Sequence, residues 1–252
     1  MRDTRSRLTG ATVGVIAVLV LLGMLVGCGN GPSVTAREGV RVRIVPGPHY
    51  RHEFPLFWFF ALRNPPQMVL WSETLDGEFI ETVMVTRKLG TDRWSRAPGD
   101  ETPSATLTRR SAAPVWSHRS GRSGNASLDA VTRATPGRGA ALEAHVPVLS
   151  AEGFYLYLEV NHSTDFNDAY PADARPGEPG YSGGAYGSGQ PSVIYRAYVD
   201  LLNPEQSETV FRLIGHGSSD GSDGDVASNL DGIGTALEIV DEVRLRVDPA
   251  GL

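Results

Sequence analysis

Cysteine and lysine are almost missing from this sequence, with Cys28 and Lys88 as the single example of each. A lone cysteine excludes intramolecular disulfides and thiolate-based zinc sites, so any metal would need histidine and oxygen ligands. Because Lys88 stands alone among 23 basic residues, the preference for arginine runs through the whole chain and points to no one site. Charged residues reach only 21%, and acids outnumber bases 29 to 23 for a net charge of -6, which argues against a nucleic-acid partner. Alternating strand and helix signals are absent too, which excludes a doubly wound nucleotide-binding fold, and there is no internal repeat. What the chain does have is apolar mass: 252 residues at 40% hydrophobic content can hold a core, which excludes a disordered chain.

Residues 1–27 read as a secretory signal helix, with Arg2, Arg5 and Arg7 followed by the apolar run ATVGVIAVLVLLGMLVG that stops at Cys28. Leu25-Val26-Gly27-Cys28 resembles the bacterial lipobox, in which the signal is cut just before a cysteine that carries diacylglycerol and an N-acyl chain. Leu8 to Gly27 is also long enough for an uncleaved anchor, but the cysteine at the end of the apolar run favours lipidation. Three acyl chains, at about 0.8 kcal/mol per buried CH₂, hold a protein at a membrane where one chain is marginal. Removing residues 1–27 takes away three Arg and one Asp, leaving 20 basic against 28 acidic residues and a charge of -8. The expected location is therefore the cell envelope, membrane-held through the N-terminal lipid, facing the periplasm or the outer surface.

Residues 28–38 carry Gly, Pro and Ser without apolar periodicity and read as a flexible tether. Residues 39–252 read as one domain with a β pattern. Val40, Val42 and Ile44 alternate with Arg41 and Arg43; Phe154, Leu156, Leu158 and Val160 alternate with Tyr155, Tyr157 and Glu159. Val193, Tyr195, Ala197 and Val199 alternate with Ile194, Arg196 and Tyr198, and further strands are expected over 54–62, 67–73, 78–86, 208–214 and 242–248. About eight short strands with little helix predict an all-β fold, an antiparallel, immunoglobulin-like β-sandwich with long rim loops. Helix signals are confined to Ser127–Arg133 and to Gly234–Val240, where Thr235 is the expected cap.

Three stretches, 95–127, 161–191 and 215–233, are long enough as loops to carry function. Gly180-Tyr181-Ser182-Gly183-Gly184 matches G-x-S-x-G by letter, but Pro179 before it and GAYGSGQP after it are not the strand and helix of a nucleophile elbow. Tyr170, Tyr181 and Tyr186 are the expected apolar anchors of that loop. His49 and His52 sit three apart in an extended segment and point to opposite faces, so they cannot close on one ion. Asp220, Asp223, Asp225 and Asp231 lie in a stretch without Lys or Arg; Asp220, Asp223 and Asp225 are the weak metal candidates, although their spacing is not that of a calcium loop. Asn161 to Asp168 is a polar cluster suited to capping a strand end through Asx turns. Phe57-Trp58-Phe59-Phe60 reads as a central strand buried on both faces.

Arg109, Arg110, Arg119, Arg122, Arg133 and Arg138 fall in a stretch whose single acid is Asp129, a local basic segment suited to phosphate or an acidic partner. Inside it, Asp129-Ala130-Val131-Thr132-Arg133-Ala134-Thr135 resembles the flavinylation motif D-x-x-[ST]-G-A-[ST] of extracytosolic flavoproteins, with Arg133 in the glycine position. The resemblance implies covalent FMN on Thr135 through a phosphoester, with Asp129 and Thr132 read by a periplasmic flavin transferase and Arg133 and Arg138 screening the phosphate. Segments such as PQMVLWSETLDGEFIETVMVTRK, EVNHSTDFNDAYP and GQPSVIYRAYVDL together resemble an uncharacterised family of predicted periplasmic bacterial proteins linked to flavin-transferase redox systems. That resemblance spans most of residues 66–247 and implies an envelope β-sandwich. The expectation is a lipid-anchored accessory or redox module with a redox partner, not itself a turnover enzyme. The alternative is a structural or ligand-binding lipoprotein that uses the loops 161–191 and 215–233.

Overall fold

In the computed structural model the described residues are 39–57, 60–92, 94, 109–121, 131–133, 141–147, 153–203 and 208–248, with backbone alone for 52–57, 60–64, 131–133 and Tyr186. Cys28, Asp129, Thr135 and Arg138 lie outside them. The described residues belong to one unit, Arg37–Leu252.

Twelve strands are seen among the described residues: β1 (Val40–Pro46), β2 (His52–Phe57), β3 (Phe60–Asn64), β4 (Gln67–Glu73), β5 (Phe79–Thr86), β6 (Val131–Arg133), β7 (Leu142–Val146), β8 (Gly153–Asn161), β9 (Val193–Asp200), β10 (Glu208–Val210), β11 (Arg212–His216) and β12 (Val240–Val247). They form a four-stranded sheet, β10-β12-β1-β7, a six-stranded sheet, β11-β9-β8-β4-β5-β6, and the hairpin β2-β3. Two short helices, α1 (Arg87–Thr91) and α2 (Pro114–Arg119), lie between β5 and β6.

The alternation read from sequence sets the inside of the molecule. Val40, Val42 and Ile44 of β1, Leu142, Ala144 and Val146 of β7, and Val243, Leu245 and Val247 of β12 all turn inward. They share one apolar core with Met68 and Leu70 of β4, Leu156, Leu158 and Val160 of β8, and Val193, Ala197 and Val199 of β9. Two sheets packed face to face through interdigitated inner residues make this a β-sandwich. Each of the Val, Leu, Ile and Met side chains among them contributes about 1.5–3 kcal/mol by leaving water.

The centre of the larger sheet is buried on both faces. Every residue of β4 is buried, because Val69 and Trp71 on its outer side are covered by Ala112, Ala113, Val115 and Trp116 and by Leu89 of α1. Pro114 opens α2, where its fixed φ suits a helix and its missing N–H is not needed. The smaller sheet keeps a polar outer face of Arg41, Arg43, Arg244 and Arg246, as half-buried antiparallel sheets do.

Several expectations are corrected. One pairing is parallel: β5 meets β6 with Met84 opposite Val131, after the long crossover that parallel neighbours require. Val131–Arg133 is therefore strand, where the sequence suggested helix; pairing to an existing sheet edge outweighs weak local propensity. Phe57 and Phe60 pair in the separate hairpin β2-β3, outside the two larger sheets, and β4 takes the central position; Trp58 and Phe59 lie outside the described residues. The expected strand 208–214 divides at Phe211, whose buried side chain marks where the chain leaves the small sheet for the large one. Among the described residues the larger sheet holds six strands and the smaller four.

Candidate functional site

Period 2 places Tyr155, Tyr157, Glu159 and Asn161 of β8 on the outer face of the large sheet, and pairing lines them up with their neighbours. Glu73, Tyr155 and Tyr198 make one cross-strand row. Trp71, Tyr157, Arg196 and Arg212 make the next. Val69, Glu159 and Ile194 make a third, beneath α2.

The first two rows form a stack of aromatic rings and guanidinium groups. Trp71 and Tyr157 lie nearly parallel, centroids 5.2 Å apart at 11°. Tyr155 meets Tyr157 edge-on at 6.4 Å and Tyr198 at 5.6 Å. Arg196 places its guanidinium 4.8 Å from the Tyr155 ring centre and 5.9 Å from that of Tyr157, while Arg119 of α2 lies 5.2 Å from Tyr157. Contacts of this kind hold a cation against the negative face of a ring and keep its plane oriented. The stack opens to solvent at Tyr198, 39% exposed, and at the exposed Arg212.

Charges on this face are unequally matched. Glu73 is fully buried, accepting hydrogen bonds from Arg119 Nη1 at 2.9 and 2.8 Å and from the Trp71 indole N–H at 2.7 Å. Its charge is consumed there. Arg196 and Arg212 sit directly opposite each other in the ladder, and among the described residues neither has a carboxylate partner.

Glu159 is the second buried carboxylate. Its Oε2 accepts from Trp116 N at 2.9 Å, and its Oε1 accepts from Val115 N at 3.3 Å and from Ser192 Oγ at 2.6 Å. It thus supplies from the sheet the cap that α2 lacks in its own sequence. Burial pushes the Glu159 carboxyl up to about 7, against those hydrogen bonds and the nearby Arg119, which favour the ionised form. A Cβ on Gly217 would meet Ser192 Oγ and Pro114, so only glycine lets that loop close over the pair. With Glu159 1% and Ser192 0% exposed, this pair is sealed and acts as a clamp.

The rim loops, the expected ligand surface, are engaged with one another. Asp165 accepts from Thr235 Oγ1 at 2.9 Å, and Gln190 donates to Thr235 and accepts from Gly234 N, so Thr235 ties loop to loop instead of capping the turn at Thr235–Glu238. Asn167 Oδ1 caps Ala169 N and Tyr170 N, the Asx turn expected there, and its amide donates to Gly232 O at 2.8 Å. Ser182 is buried, with its Oγ accepting from Gly189 N at 3.1 Å, and a short 3-10 turn follows it; it has no nucleophile geometry. Tyr170 packs against the core as an anchor.

Other expected site residues are dispersed. Asp220 Oδ1 accepts from Ser218 and Ser222, and Asp223 Oδ1 accepts from Asp225 N, so these exposed acids close local turns. Among the described residues no group of three His, Cys, Asp or Glu is placed to hold a metal ion. His49 faces Glu238 at 3.2 Å, and His162 and His118 pair with the carbonyls of His49 and Gly221. Of the basic segment, Arg119 joins the stack, Arg109 lies over Trp94 at 5.5 Å, and Arg133 ends β6 with Thr132 beside it. Arg122 lies outside the described residues. Tyr155, Tyr157, Arg196 and Tyr198 were visible as the outward halves of alternating strands, but what they meet depends on which strands pair.

No family model, curated protein or solved structure matches this chain. The reading of its function rests on its own residues.

Proposed function

We propose that the protein is a lipid-anchored cell-envelope module that works by binding an anionic partner on the outer face of β8, β9 and β11. One observation carries this: Arg196 and Arg212 lie directly opposite each other with no carboxylate partner among the described residues, beside tyrosines that hold Arg196 in place. Like charges directly opposite in a ladder are destabilising, and a ligand of opposite charge removes that penalty. Lipidation of Cys28, at the end of the apolar run, supplies the anchor.

The test is thermal stability of the full chain in detergent, measured against a panel of phosphates, sulfate, uronates and dicarboxylates. At least one anion raises the melting temperature of wild type and does so less for Arg196→Gln. If no anion gives an Arg196-dependent shift, the binding reading is wrong. Fractionation of Cys28→Ser tests the anchor separately, since release or failure of processing is expected.

A second reading is covalent FMN on Thr135, which gives the module a redox role with a flavin transferase and an electron partner. Its support is positional: Thr132 and Arg133 end β6, an edge strand paired to β5, two residues before Thr135. Co-expression with a periplasmic flavin transferase, followed by intact mass and in-gel fluorescence of wild type and Thr135→Ala, decides it. An unmodified wild type removes Thr135 from any mechanism.

A further inference from the structure

We infer that Arg196 and Arg212 form a site for the phosphate group of a soluble phosphate monoester, an inference that rests on the anion-binding reading of the same face. Residues directly opposite in an antiparallel pair have Cβ atoms about 4.5–5.5 Å apart, so two arginine side chains there can converge on one ligand. Arg196 is not free to wander. Its guanidinium lies over both Tyr155 and Tyr157, and Tyr157 is itself fixed by the Trp71 stack. Pinning of this kind lowers the entropy lost when a ligand binds.

The number of donors selects the ligand. A carboxylate presents two oxygens in one plane, which a single guanidinium fork satisfies. A phosphate monoester presents three terminal oxygens in a tetrahedral array and carries about -1.5 to -2 charges at pH 7, which suits two forks approaching from different strands. The two buried carboxylates of this face are already engaged, Glu73 by Arg119 and Trp71 and Glu159 by the start of α2. The exposed ring of Tyr198, next to Tyr155 in the neighbouring row, offers apolar surface to whatever carries the phosphate. That favours an organic phosphate over the inorganic ion.

The experiment is calorimetric titration of the full chain in detergent with glycerol 3-phosphate, inorganic phosphate, acetate and glucuronate, together with flotation on vesicles containing phosphatidic acid. Glycerol 3-phosphate should bind tighter than inorganic phosphate, and acetate and glucuronate more weakly than either. Arg196→Lys, which keeps the charge and loses the fork, should weaken binding about tenfold or more, as should Arg212→Gln. Tyr155→Leu, which releases the guanidinium, should weaken it less. Arg43→Gln on the opposite sheet should change nothing, and melting curves confirm that each variant is folded. Arg196-dependent binding of glucuronate but not of phosphates overturns the phosphate assignment and leaves the anion-binding reading standing. Loss of every Arg196-dependent signal overturns both, and capture by vesicles alone overturns the soluble ligand.

Discussion

Arg119 on α2 closes over Glu73 on β4 with one guanidinium nitrogen, Nη1, set 2.9 and 2.8 Å from the two carboxylate oxygens. The pair is asymmetric, because the Glu73 side chain is fully buried and that of Arg119 is 30% exposed. Arg119→Ala strands a buried charge and should cost about 3–5 kcal/mol. Glu73→Gln leaves a partly solvated cation and a neutral acceptor for the Trp71 N–H, and should cost less, about 1–3 kcal/mol. Urea unfolding of both variants checks the order; equal losses would mean that Glu73 holds no buried charge.

Glu159 makes stability depend on pH with a defined sign. Its carboxyl is raised from 4.5 to about 7 in the folded chain by burial. Below pH 4.5 both folded and unfolded forms are protonated and the stabilisation is complete. It is lost as pH rises through about 7, where the folded protein must release a proton the unfolded chain has already lost. Glu81, raised in the same direction by burial, adds to the trend. Glu159→Gln should flatten the fall in melting temperature between pH 5 and pH 8, and an unchanged slope would assign the effect elsewhere.

The sandwich core should show the cavity response. Leu156 is fully buried between the sheets, and Leu156→Ala should cost about 2–5 kcal/mol. Leu202, 68% exposed, should tolerate alanine within about 0.5 kcal/mol. Chemical denaturation of the pair measures the contrast, and similar losses at both positions would contradict the packing described.

Gly189 has φ +76 and lies against the backbone of Asp165. Gly189→Ala should therefore destabilise by more than about 1 kcal/mol, through both the backbone conformation and the loss of close approach. Thermal melts, with hydrogen exchange across residues 161–192, would show whether the loop loosens as a unit.

Much of the sandwich was legible because alternation is a local property. Val40, Val42 and Ile44, or Leu156, Leu158 and Val160, announce their inward faces without knowledge of any partner. What could not be read were pairings settled far along the chain. Val131–Arg133, with β-branched Val131 and Thr132 but only three residues, is too short to show alternation and becomes strand by adding to the edge of β5. Thr235, a plausible cap by its neighbours, spends its hydroxyl on Asp165, seventy positions away.

The candidate site divides the same way. Tyr155, Tyr157, Arg196 and Tyr198 were recognisable as the outward residues of their strands. Only pairing brought Arg196 opposite Arg212 and Tyr157 beside Trp71, because register is a relation between strands and is written in neither. Glu159 looked like one more outward residue until α2 was laid over it, turning a surface carboxylate into a sealed helix cap. By itself the sequence determined the class of fold, the inward residues and the apolar N-terminal run ending at Cys28, all of which follow from local periodicity and composition. Tertiary structure alone decided which charges were neutralised and which were left facing each other, since burial and distance set the worth of a charge and neither is a local quantity.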